Sequence, residues 1–191
     1  MAELLAPFFA DRAHEIAGRL ISDFGSLSAA MDANQDQLAD PGVSEACRIV
    51  QAARHLSQQA LVEDFTRSVV VADDPSLINY LRTVLDGTSE ALCAIFLDRQ
   101  GQYIRDEVLA NGAIGQVRLA PRALFARAFQ LRASRLIVAH NHPSGNCRPS
   151  SSDRAATAVL AQMGRALEVE LIDHLIVSRS GYFSFLKGGL L

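Results

Sequence analysis

The sequence is poor in two residues that usually say much about a protein: Lys187 is its only lysine, and it has three cysteines, Cys47, Cys93 and Cys147. Widely spaced and odd in number, these cysteines make no disulfide framework, which excludes a small stapled secreted scaffold. Long apolar runs are missing as well. The longest, Ala91-Leu92-Cys93-Ala94-Ile95-Phe96-Leu97, has the length of a strand and falls far short of the roughly 20 residues that cross a bilayer. Met1-Ala2-Glu3-Leu4-Leu5 lacks the basic stretch of a signal peptide. The expectation is therefore a cytoplasmic protein without membrane contact. A basic stripe is also absent. Residues 1–70 hold five arginines against ten acidic residues, while residues 71–191 hold thirteen basic residues against eleven acidic ones. Phosphate contacts supply most of the affinity of nucleic-acid binders, so nucleic acid is expected to be a weak partner at best.

What is present is enough apolar material, 49% of 191 residues, for one good core or for a small domain and a medium one. Residues 3–62 read as helical. Ile16, Leu20 and Ile21, and then Ile49, Val50, Ala53 and Leu56, recur at helical spacing, with breaks at Phe24-Gly25 and Asp40-Pro41-Gly42. Beyond residue 66 strands and helices interleave. Arg67 to Val71 reads as a strand, and Asp74-Pro75 opens a helix to about Asp86. Strands are expected at Glu90 to Leu97, Tyr103 to Leu109 and Arg135 to His140, with a helix from Pro121 to about Leu131. A helix from about 151 to 166 and a hairpin, Glu170 to Val177 with Tyr182 to Leu186, complete the chain. This pattern predicts a mixed α/β layer domain over residues 67–191, preceded by a small helical domain over residues 1–64.

The chemistry concentrates in His140-Asn141-His142-Pro143-Ser144-Gly145-Asn146-Cys147-Arg148-Pro149-Ser150-Ser151-Ser152-Asp153. Residues i and i+2 of a strand share a face, so both imidazoles reach one ion while Asn141 faces away. Asp153, near the start of the next helix, can return as a third ligand. Two histidines and one carboxylate leave a fourth position for water, as in catalytic zinc sites, and such a site needs a base, usually a carboxylate. Ser150-x-x-Asp153 also reads as a capping box, in which the pair serves only the helix start. His174 reads as a partnered strand histidine rather than a ligand. Cys147 is a soft donor that the one-ion set does not need.

His140-x-His142-x7-Ser150-x-x-Asp153 resembles the JAMM signature of the JAB/MPN metalloproteases. The fuller His-Asn-His-Pro-Ser-Gly string, Pro149-Ser150 and Leu171-Ile172-Asp173-His174 resemble the bacterial RadC branch. The resemblance implies a JAB/MPN, cytidine-deaminase-like mixed sheet flanked by helices. It further implies Zn2+ on His140, His142 and Asp153, and a Ser150 hydroxyl that steadies the oxyanion or the water. Glu90 corresponds to the family's general base, with Glu107 as the competing carboxylate. The implied activity is hydrolysis of peptide or isopeptide bonds in a peptide or protein that the sequence does not specify, and the oligomeric state is equally unspecified. The alternative role is DNA-repair-associated, without peptidase activity.

Glu3-Leu4-Leu5-Ala6 and Phe24-Gly25-Ser26-Leu27 resemble the helical region of RadC proteins. Gly42-Val43-Ser44-Glu45-Ala46 corresponds to a helix-hairpin-helix-like turn in which the second glycine is replaced and an acid stands where a base is expected. A carboxylate there weakens phosphate binding at a helix N-terminus. Two enzyme classes fit poorly. His-Asn-His as a tripeptide is not the dispersed motif of HNH nucleases, and the Pro-Cys-x-x-Cys signature of zinc deaminases is absent.

Overall fold

A computed structural model of the chain describes residues 1–26, 29–30, 40–87, 89–112 and 120–191, with only the backbone for 110–112. Leu27, part of one RadC-like string, lies outside the described residues. The chain divides into two compact units, Met1–Ala60 and Leu61–Leu191.

In the first unit, α1 (Ala2–Phe9), a short 3-10 turn (Ala10–Arg12), α2 (Ala13–Phe24) and most of α3 (Pro41–Thr66) surround one small core. Ile16 and Leu20 on α2, and Val43, Cys47 and Val50 on α3, form the buried stripes that helical periodicity requires. Asp40 caps α3: its Oδ1 accepts from the amides of Gly42 at 2.8 Å and Val43 at 3.2 Å. Arg19 grips the other carboxylate oxygen. The bond from Arg19 and then those two amides hold the Asp40 carboxyl below the ordinary carboxylate range. Gly42-Val43-Ser44-Glu45-Ala46 is thus the opening turn of α3, with a carboxylate already seated on its leading amides.

The second unit is a five-stranded mixed sheet in the order β2-β1-β3-β4-β5. Its strands are β1 (Glu90–Leu97), β2 (Tyr103–Gly112), β3 (Arg135–Asn141), β4 (Glu170–Val177) and β5 (Tyr182–Ser184). β1 runs antiparallel to both β2 and β3, β3 and β4 are parallel, and β5 returns antiparallel to β4. α4 (Pro75–Val84), α5 (Pro121–Gln130) and α6 (Ser151–Leu167) flank the sheet. Both sheet faces are covered. Cys93, Ile95, Ile137 and Ala139 pack with Leu77, Leu81 and Phe65, whereas Leu92, Phe96, Leu136 and Val138 pack with Leu124, Phe125 and Leu160. Double coverage explains why β1 and β3 read as continuous apolar runs instead of alternating.

Two expected elements differ from what is observed. Arg67 to Val71 is not a strand: Val70 is buried and donates once to the Gly101 carbonyl at 2.9 Å, while Val69 and Val71 are exposed and no ladder forms. The last strand stops at Ser184, because the chain then turns back on itself, the Gly188 amide donating to the Ser184 carbonyl at 2.9 Å and the Leu190 amide to the Phe185 carbonyl at 2.8 Å. Among the described residues no helix is long and apolar enough to cross a membrane.

Candidate metal centre

β3 carries His140 at its last buried stretch and releases the chain after Asn141. Leu92 of β1 lies directly opposite His140. Opposed residues of antiparallel strands share a face, and so do residues two apart, which places Glu90 on the His140 side of the sheet. Its negative charge is one of the influences that raise the pKa of His142.

The third member of the group comes from α6. Ser150 is the N-cap of this helix: its Oγ accepts from the Asp153 amide at 3.1 Å, and the Ser150 amide donates to Asp153 Oδ2 at 2.8 Å. The capping box is therefore complete. The same carboxylate also faces the histidines, with Oδ1 at 3.5 Å from His140 Nε2 and Oδ2 at 3.6 Å from His142 Nε2. The carboxylate that closes the cap is thus the same one that faces both histidines. His140, His142 and Asp153 form a group that could hold a metal ion, with one ligand atom from each within 4.8 Å of the others.

Hydrogen-bond direction settles which imidazole nitrogens carry protons. The Thr157 hydroxyl donates its only proton to the Asp153 carbonyl at 2.6 Å. It must then accept from His174 Nδ1, 2.6 Å away, which leaves His174 Nε2 as an acceptor. That nitrogen lies 2.8 Å from His140 Nδ1, so Nδ1 of His140 is the donor and its Nε2 holds a lone pair. On the other side, His142 Nδ1 donates to the Asn146 carbonyl at 2.7 Å, so the neutral ring again has its lone pair on Nε2. The two Nε2 atoms face each other at 3.0 Å beside a carboxylate. Three electron-rich donors converge on a space that only a proton or a metal cation makes favourable.

The electrostatics agree. Burial drives the His140 pKa down to about 4 and that of His174 down to about 3, so both rings are neutral. His142 is raised, first by its interaction with Asp153. Burial pushes Asp153 up, but the hydrogen bonds from His142 and Ser150 outweigh it and hold the carboxyl well below its usual range.

The loop between β3 and α6 is held from two sides. The Gly145 amide closes a turn onto the His142 carbonyl at 3.0 Å, and Gly145 has a φ of 85°, which favours glycine. From the β4–β5 turn, the Ser180 hydroxyl donates to the Gly145 carbonyl at 2.9 Å, and the Cys147 thiol to Ser178 Oγ at 2.9 Å. Glu107 is engaged elsewhere. Arg127 Nε bonds both of its carboxylate oxygens at 2.9 Å and Arg105 lies at 3.1 Å, and the bond from Arg127 holds its carboxyl below the ordinary range.

Sequence reasoning did not anticipate the links from His174 and Thr157 to His140. The spacing of Asp153 and Thr157, one helical turn, was the available signal. It also passed over Asn141, which does face away from the histidines but is buried, its amide bonded to the entry of β1.

A doubly covered mixed sheet with a His/His/Asp group at the end of a central strand and the start of the next helix defines an α/β domain with a group that could hold a metal ion. Residues 71–190 match the RadC-like JAB domain family. A UPF0758 protein of Burkholderia mallei (strain SAVP1) is 36% identical over 178 residues, covering 91% of this chain and 64% of the relative. UPF0758 proteins of Vibrio atlanticus (strain LGP32) and Thiobacillus denitrificans (strain ATCC 25259 / T1) are 34% and 33% identical over 196 residues, covering 98% of this chain and 88% of each relative. The chain belongs to the RadC-like JAB domain family. It spans 64% of the length of the Burkholderia mallei relative.

Proposed function

We propose that the protein is a zinc-dependent hydrolase of amide bonds, peptide or isopeptide, with His140, His142 and Asp153 as metal ligands, Glu90 as general base and Ser150 as oxyanion donor. The observation that carries this reading is the convergence of two imidazole lone pairs and one carboxylate, with Glu90 on the same face of the sheet. Donors around a tetrahedral zinc stand about 2.0–2.1 Å from the ion, which spaces neighbouring donors by about 3.3 Å. The two Nε2 atoms, 3.0 Å apart, are close to that spacing, and Asp153 turns one oxygen to each imidazole, Oδ1 at 3.5 Å from His140 and Oδ2 at 3.6 Å from His142.

Bound zinc lowers the pKa of a water towards ~7 and polarises a carbonyl. The residues supply the rest. Glu90 takes the proton of the attacking water and returns it to the leaving amine. The Ser150 hydroxyl, which donates to Asp153 Oδ2 at 2.6 Å, turns to the oxyanion at the α6 N-terminus. Glu107, tied to Arg127, is a poor base.

Metal analysis on protein purified without added metal should find close to one zinc per chain, most of it lost in His142→Ala. Incubation with a proteome-derived peptide library, with new N-termini read by mass spectrometry, tests the activity. Glu90→Gln should keep zinc and lose cleavage by about 10²–10⁴-fold, whereas Glu107→Gln should cleave like wild type. Full zinc in His142→Ala, or full cleavage by Glu90→Gln, would defeat this function.

A further inference from the structure

Asn141 sits between the two ligand histidines, yet its side chain lies on the opposite face of the sheet and is buried. Its Oδ1 accepts from the Ala91 amide at 2.6 Å. Its Nδ2 donates to the Ser89 carbonyl at 3.0 Å and to the Gly87 carbonyl at 3.4 Å. The amide orientation is unambiguous, because a flipped group would set NH2 against an N–H and oxygen against two carbonyls. These partners bracket one residue. The Ser89 carbonyl belongs to the peptide before Glu90, and the Ala91 N–H to the peptide after it. A single side-chain amide therefore fixes both peptide planes that flank the Glu90 Cα, and with them the direction in which its carboxylate leaves the strand.

We infer that Asn141 is a positioning residue for Glu90, tying the base on β1 to the strand that carries the metal ligands. This rests on Glu90 being the base. A side-chain bond is needed here because the ladder between β1 and β3 ends at the Leu92–His140 pair, one step before Ala91 and Asn141 would pair through their backbones. The same backbone unit that places His140 and His142 thus also places the group acting opposite them. Misplacing a reacting group by about 1 Å can cost on the order of 10²-fold in rate. Asn141 touches neither imidazole, so zinc affinity should change by less than the roughly 10-fold that accompanies loss of a ligand's outer partner.

The test is a double-mutant cycle on zinc-loaded protein with the peptide library as substrate. Asn141→Ala should lower kcat by about 10²-fold with near-normal zinc affinity, and should add nothing in a Glu90→Gln background. Asn141→Asp, which keeps size and the acceptor for Ala91 but loses the donors to Ser89 and Gly87, should move kcat the same way and guards against misfolding of the alanine variant. A readout that needs no substrate runs alongside. The pH at which the visible spectrum of the Co2+-loaded protein changes should shift in Glu90→Gln and shift in the same direction in Asn141→Ala. If Glu90→Gln moves activity and spectrum while Asn141→Ala moves neither, the positioning role is wrong and the base stands. Zinc affinity falling in step with kcat in Asn141→Ala also overturns it, since Asn141 would then act on the ligand strand. A Glu90→Gln variant with unchanged activity and spectrum defeats the base assignment itself.

Discussion

Thr157 and Asp153 are joined twice: by one turn of α6, and by a Thr157 hydroxyl that gives its proton to the Asp153 carbonyl at 2.6 Å. That single donation makes Thr157 an acceptor towards His174 and so orients the chain of protons that ends at the free lone pair of His140. Thr157→Val removes the acceptor from a fully buried site. Zinc affinity should fall by roughly 10–100-fold, and the apo protein should lose about 1–3 kcal/mol from the orphaned His174 N–H. Thr157→Ser should restore both. Zinc titration against a chromophoric chelator, with thermal melts, checks this; full affinity in the valine variant would remove the outer partner's role.

Asp153 closes the cap and faces both histidines at once, so under the proposed function its substitutions should separate from those of Ser150. Asp153→Asn removes an anionic donor from the ion, and zinc affinity should fall by orders of magnitude. It keeps one amide oxygen for the cap, so the apo melting point should drop only slightly. Ser150→Ala should keep zinc and lose turnover, at a cap cost of about 1 kcal/mol. Unchanged zinc affinity in Asp153→Asn with a clearly lowered apo melting point would mean that the pair only caps the helix.

The buried rings predict a pH dependence. His140 and His174 are depressed to about 4 and about 3, so from about pH 6.5 downward the unfolded chain takes up protons that the native state refuses. Apo stability should therefore decline between about pH 6.5 and 4. His142 has the opposite sign: its raised pKa favours the native state below about 6.5, and this contribution is lost as pH rises through its folded value. Asp153 is depressed, so its stabilisation persists throughout this window and fails only at stronger acid. Because zinc needs a neutral His142, the gain in melting temperature on adding zinc should shrink as pH falls through that raised pKa. Calorimetric melts with and without zinc, between about pH 4 and 8, measure both. An apo melting temperature that does not fall towards pH 4 would contradict the neutral buried pair.

We propose that the first unit is a poor phosphate binder, since Asp40 already occupies the leading amides of α3 and Glu45 pairs with Arg48. Affinity for duplex DNA should be weak and without sequence preference. Sub-micromolar binding near physiological salt, falling steeply as salt rises, would instead support the DNA-associated role.

Local patterns in the chain were enough to place most elements. β1 is Glu90–Leu97 as expected, α4 starts at Pro75 behind an Asp74 cap, and the His140-x-His142 spacing and the capping box are short-range geometry that needs no partner strand. Where local pattern failed, a long-range contact was decisive. Val69-Val70-Val71 has strand composition, but a strand exists only if a neighbour offers a ladder, and Gly101 offers one bond. The choice between Glu90 and Glu107 was equally closed to spacing. Both are strand carboxylates upstream of the histidines and, by register, both lie on the His140 face of the sheet; packing of β2 against α5, which gives Glu107 to Arg127, is what sets them apart. His174, thirty-four residues from His140, meets it only because β3 and β4 pair in parallel across α6. Side-chain periodicity is fixed by covalent geometry, whereas strand order and register are set by which buried faces and hydrogen bonds the whole fold can satisfy together.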